Sequence, residues 1–236
     1  MEKEDIHKYC YWCGDLATTT EHVPPKNLFP KEFRDNPIAV GSCMTHNNEF
    51  SKLDERMRVH MQTMGDQIIA KSELDNKTTR GLLRNESRGL LTDIISNSGD
   101  YFGESSQRER LDYLEKYFEK IIRGLYYYHF IKRLNGSTSF FSNKIELIEL
   151  SANAHFYYYM LDDKYADKWK EGSSKNKDVF DYKFHFDETT EQFIAIMTFY
   201  KVHIVHGITL PQGKHIDNYG VEFEEFEKWR KMKFKK

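Results

Sequence analysis

Cys10-Tyr11-Trp12-Cys13 and, thirty residues on, Cys43-Met44-Thr45-His46 carry the reading of the fold. The chain has three cysteines, and all of them fall in these two pairs. Three thiolates and one imidazole make a tetrahedral donor set for structural Zn²⁺, and two short knuckles separated by a loop are a usual way to present one. Gly14, directly after the first pair, permits the tight turn a knuckle needs. The region has little apolar content, so bound metal would supply folding energy there. The competing reading is three buried thiols beside an incidental His46. An odd cysteine count suits a metal site in a reducing compartment better than a disulfide framework.

Between the pairs lies Thr20-Glu21-His22-Val23-Pro24-Pro25. Proline forces the residue before it out of the helical region, so this stretch is extended. Neighbouring side chains on an extended segment point to opposite sides. Glu21 can then face a metal while His22 faces substrate and water. Asn36 follows, and Asn47 comes directly after the second pair.

Cys10-x2-Cys13, Glu21-His22-x2-Pro25, Asn36 and Cys43-x2-His46-Asn47 together resemble the HNH endonucleases, whose fold is the ββα-metal or His-Me finger. The resemblance covers about residues 9–58. It implies that His22 is the general base that activates water and that Asn36 orients it. It implies that Glu21 and Asn47 (or the adjacent Asn48) ligate a catalytic divalent cation, and that Cys10, Cys13, Cys43 and His46 hold the zinc. Glu stands at position 21 where the family more often has Asp, and His stands at 46 where Cys is usual. The implied reaction is one-metal hydrolysis of DNA, leaving a 5′-phosphate and a 3′-hydroxyl. Imidazole is a base of near-neutral pKa, and Mg²⁺ or Mn²⁺ with oxygen ligands would offset the charge that builds on phosphate. The resemblance also implies a role in phage defence or a mobile element. The alternative from another class is a non-catalytic zinc-dependent module that binds nucleic acid or protein.

Composition sets the outer limits. The 17 Phe, 15 Tyr and 3 Trp of the 236 residues can supply a core although 31% of residues are charged, which excludes a disordered chain. No apolar run reaches the ~20 residues of a membrane helix, and the polar start shows no signal peptide. The expectation is a soluble cytoplasmic protein. A net charge of -2 excludes a general nucleic-acid coat, so DNA contact must be local. Lys52, Arg56 and Arg58, on the helix after Asn47, are the candidate phosphate contacts, with Lys26 and Lys31 nearby. A second basic run is Lys228, Arg230, Lys231, Lys233, Lys235 and Lys236.

The expected architecture is α+β, in three parts. Residues 1–70 form the nuclease module, with short strands, one of them over 36–41. An amphipathic helix then carries Phe50, Leu53, Met57, Met61, Met64 and Ile68. Thr45, Asn47 or Asn48 would cap this helix, and Glu49, Asp54 and Glu55 give it early acidic character. Residues 71–135 are helical: short helices over 78–96, a candidate break at 97–107, and a long helix over 105–134 with Leu111, Leu114, Phe118, Ile121, Ile122 and Leu125 as its stripe. Residues 136–236 form a small antiparallel sheet. Its strands are expected over 144–150, around Phe184 and Phe186, over 193–200 and over 202–210, with a short helix at 162–171 and a basic helix at 222–236. His203 and His206, three apart, would face opposite sides of one strand and share no metal, and His215 is an ordinary histidine of the same region. The runs Tyr126-Tyr127-Tyr128-His129 and Phe156-Tyr157-Tyr158-Tyr159 exceed one helix face. They point to packing or to a partner, either a second copy in a homodimer or an activating protein.

Overall fold

β-branched and aromatic residues from Phe180 onward build an antiparallel sheet. In the computed structural model, which describes residues 3–29, 31–34, 38–64, 104–142 and 151–234, its strands are β3 (Ser137–Ser142), β4 (Lys170–Glu171), β5 (Phe180–Asp187), β6 (Gln192–Phe199) and β7 (His203–Leu210), in the order β3-β7-β6-β5-β4. A second, two-stranded sheet pairs β1 (Thr19–His22) with β2 (Ala39–Ser42), Glu21 opposite Val40 and His22 opposite Ala39. The helices are α1 (Met44–Met64), α2 (Glu104–Phe130), α3 (Ala152–Lys164) and α4 (Phe223–Lys233). Asn36, the expected helices over 78–96, residues 97–103 of the candidate break, the strand over 144–150, Ile68, Lys235 and Lys236 lie outside the described residues.

β6 explains why its sequence hardly alternates: both faces of the central strand are covered. Phe193, Ala195, Met197 and Phe199 pack with α2 in one cluster, while Ile194 joins Tyr157, Tyr158 and Leu161 of α3 in another. Strands buried on both faces read as continuous apolar runs. The sheet therefore lies between α2 on one side and α3 with α4 on the other.

α2 buries two stripes. Phe118 packs against Phe140 and Phe199 of the sheet, and Ile122 approaches Gly207. The opposite stripe, Tyr113, Tyr117, Lys120, Gly124 and Tyr127, recurs at four and three residues and faces the N-terminal part. Arg56 of α1 lies 4.7 Å over the Tyr113 ring. A Cβ on Gly124 would stand 2.6 Å from Val23 Cγ2, so only glycine lets α2 approach the end of β1 this closely. Buried side chains from Ile6 to Val205 form one cluster through this helix.

Several expectations are corrected. α1 starts at Met44, so Thr45 and Asn47 lie inside its first turn, Asn48 directly beyond it, and no acidic residue lies in that turn. The Cys43 carbonyl accepts from the Asn47 N–H at 3.0 Å and so opens the helix earlier. The helix expected over 162–171 is α3, displaced toward the N-terminus. Ser151 caps it, accepting from the Ala154 N–H at 3.1 Å. Ala154, Tyr157, Tyr158 and Leu161 give its buried side. The aromatic runs find partners within the chain: Tyr126 meets Phe130 and Phe193, and Phe156 stacks on Phe226 at 4.3 Å. Tyr159, although 54% exposed, also meets Phe141 at 5.2 Å and Phe226 at 6.3 Å.

Candidate functional site

The first knuckle is a tight loop closed by three backbone contacts. The Gly14 N–H donates to the Cys10 carbonyl at 2.8 Å, the Cys10 N–H to the Asp15 carbonyl at 2.7 Å, and Tyr9 bridges Leu16. Gly14 has φ +86°, the left-handed conformation a glycine adopts without strain. β2 runs directly into the second knuckle at Cys43, and α1 follows. Cys10, Cys13, Cys43 and His46 thereby bring four ligand atoms within 4.8 Å of one another. Cys13 Sγ lies 3.9 Å from Cys43 Sγ, and His46 Nδ1 lies 3.0 Å from Cys43 Sγ and 3.9 Å from Cys10 Sγ. Tetrahedral zinc with Zn–S bonds of ~2.3 Å sets sulfurs about 3.8 Å apart. All three cysteines are free, and the four residues can hold a zinc ion.

The surroundings act on the thiols in opposite directions. Burial pushes the Cys10 thiol up, but backbone hydrogen bonds from Cys13, Cys43 and Trp12 bring it below its ordinary value. Burial pushes Cys13 up to about 12. A bound zinc would deprotonate a coordinating thiol outright. Trp12 packs edge-on against Phe50 at 4.9 Å, and Arg123 of α2 lies 5.0 Å over the Trp12 ring. Arg133 donates to the Cys13 carbonyl. The metal cluster is thus held by α1 and α2 together.

β1 sends its two central candidates to opposite sides, as the extended backbone requires. Glu21 is buried at 5% exposure and His22 is partly buried. Burial lowers the His22 imidazole below its usual pKa, and the charges of Lys26 and Lys120 act in the same direction. His22 Nδ1 is buried and has no hydrogen-bond partner among the described residues.

Glu21 meets an ammonium ion. Lys120 Nζ lies 3.0 Å from Glu21 Oε1 and donates to Asp54 Oδ1 at 2.5 Å, with Lys120 itself 1% exposed. The same ammonium sits 5.3 Å over the Phe50 ring. Burial raises both carboxyls and Lys120 opposes it; Asp54 is raised to about 7 and Glu21 above its ordinary value. The α1 residue that shares Glu21's partner is Asp54, two turns and ~10.5 Å along the helix beyond Asn47. Sequence reading reached neither Lys120 nor the role of Asp54. The available signal was the second stripe of α2, with a lysine set between Tyr117, Gly124 and Tyr127.

The candidate phosphate contacts divide. Lys26, Lys31, Lys52 and Arg56 are exposed, whereas Arg58 is 7% exposed, 3.8 Å from Glu55, with Nε unpartnered among the described residues. In the C-terminal run, Lys233 pairs with Asp163 and Arg230 with Glu227, while Lys228 and Lys231 stay exposed. His203 is buried and hydrogen-bonded to Ser142 at 2.9 Å on the α2 side, His206 packs near Tyr158 on the α3 side, and His215 caps the turn 216–219. No helix among the described residues is long and apolar enough to cross a membrane. No family model, no curated protein and no solved structure matches the chain.

Proposed function

We propose that the chain is a zinc-stabilised HNH-type nuclease that hydrolyses DNA phosphodiester bonds with low sequence specificity. One observation carries the reading. His22 stands at the end of β1, in a β1–β2 hairpin whose second strand passes through the Cys43–His46 clamp into α1. Strand, strand, metal knuckle and helix follow in the order the HNH resemblance implies.

The phosphorus of a phosphodiester is negative and weakly electrophilic, so water must lose its proton as it attacks. His22 can take that proton. Burial and the flanking ammonium charges keep its ring neutral near pH 7, the form that accepts. Lys26, Lys31, Lys52 and Arg56 are exposed and supply positive charge for neighbouring phosphates. Zinc at the knuckles would hold β2 and α1 in place and take no part in the chemistry. The divalent cation expected at Glu21 does not fit the carboxylate as it stands, because Lys120 already neutralises it in a buried setting. Glu21 therefore has no step in the reaction.

The same ion pair favours a second reading, a zinc-dependent module that binds nucleic acid or protein without cutting it. Nicking of supercoiled plasmid in Mg²⁺ or Mn²⁺ separates the two. The nuclease reading expects cleavage by wild type and at least a hundredfold loss in His22→Ala, with zinc content and circular dichroism unchanged. Wild type that carries stoichiometric zinc and leaves DNA intact favours the binding module.

A further inference from the structure

Glu21, Asp54 and Lys120 form a charge cluster in the interior. Their side chains are 5%, 13% and 1% exposed, and they come from β1, α1 and α2. Two carboxylates face one ammonium, so Lys120 can balance the charge of only one of them at a time. The Tyr11 hydroxyl, fully buried, has no hydrogen-bond partner among the described residues and lies within the field of both carboxylates. Two carboxylate oxygens around one point are donors that a hard divalent cation takes. Lys120 Nζ stands at that point, and it is too deeply buried to touch a substrate.

We propose that Lys120 is a tethered cation that fills a divalent-cation site formed by Glu21 and Asp54, and that a free cation enters only where the ammonium is absent or withdrawn. Because Lys120 belongs to α2, the docking of that helix on the N-terminal module controls access. The exchange itself stands on the geometry of the cluster. Glu21 is next to His22 in the sequence, but the exchange does not rest on the nuclease reading.

The test is Mn²⁺ binding to the zinc-loaded full chain, followed by electron paramagnetic resonance and calorimetry. Wild type and Glu21→Gln should bind Mn²⁺ equally within twofold. Lys120→Met and Lys120→Ala should each gain one site per chain, at least tenfold tighter than any in wild type. Adding Glu21→Gln or Asp54→Asn to either should remove it. The proposal is overturned if Glu21→Gln weakens Mn²⁺ binding in the wild-type background, since the ion would then already sit on Glu21. It is equally overturned if folded, zinc-loaded Lys120 variants gain no site. Should both Lys120 variants fail to fold, Lys120→Gln, which keeps a polar group between Glu21 and Asp54 without the charge, takes their place in the same comparison. Plasmid nicking, measured on the same samples, keeps the two readings apart: inert wild type removes the nuclease and leaves the cation exchange standing.

Discussion

Lys120 Nζ stands 3.0 Å from Glu21 Oε1 with both side chains inside the protein, so the far-off helix α2 is bonded to the strand that carries His22. Removing one partner of a buried pair leaves the other charge uncompensated, at a cost of about 3–5 kcal/mol. Lys120→Met should lower stability by that order in urea denaturation. Lys120→Met combined with Glu21→Gln should recover at least about 1 kcal/mol relative to the sum of the single effects. Additive losses would mean that the pair is not coupled.

The metal cluster makes a sharper prediction. Cys43 is one of the four residues that can hold zinc, joins β2 to α1, and its carbonyl accepts the Asn47 N–H. Cys43→Ser should drop zinc from one equivalent per chain to near zero by elemental analysis and lower the melting temperature. A chelator should produce the same shift in wild type and none in the variant, because metal affinity here is folding energy.

Gly124 tests the docking of α2. A methyl group there would stand 2.6 Å from Val23 Cγ2. Overpacking of this kind costs about 1–3 kcal/mol. Gly124→Ala should destabilise the protein by that amount, although alanine is the better helix former. An unchanged or raised melting temperature would contradict the close approach.

His206 sets an acid limb. Burial lowers its folded pKa to about 4, with Asp162 opposing the shift and Lys183 adding to it. The unfolded value is about 6.5. Between these values the unfolded chain binds more protons, so stability is full above pH 6.5 and falls as the pH drops toward 4. From pH 7 to pH 5 the loss is about 2 kcal/mol. Chemical denaturation at the two pH values should show a smaller difference for His206→Leu than for wild type by that amount.

How much of this was legible varies with where the determining contacts lie. The knuckles were legible because cysteine and histidine at x2 spacing have few other uses, and the Gly14 turn is local. The sheet strands around Phe184, 193–200 and 202–210 showed in their aromatic and β-branched content. β3, Ser-Thr-Ser-Phe-Phe-Ser, sets Thr138, Phe140 and Phe141 among three serines that read as loop, and the sequence did not mark it as a strand. α3 was misplaced because Phe156 to Tyr159 reads as an undifferentiated aromatic run until Ala154 and Leu161 give it a buried side. On α2 only the sheet-facing stripe was read. The other stripe contains Lys120, and a lysine looks like a solvated charge until its partners on β1 and α1 are in place. The site residues followed the same rule. The alternation of Glu21 and His22 came from local strand geometry, whereas the ammonium that meets Glu21 came from tertiary packing.

Imidazole rescue tests the proposal that His22 is the base. His22→Gly removes the ring and leaves a space beside the strand end. The zinc-loaded variant should lose plasmid nicking by at least a hundredfold and regain at least a tenth of wild-type rate when imidazole is added. Wild type should stay active below pH 6.5, because burial lowers the pKa of His22. Undiminished nicking by the glycine variant, or loss that no concentration of imidazole restores while zinc content and fold are intact, would contradict the assignment.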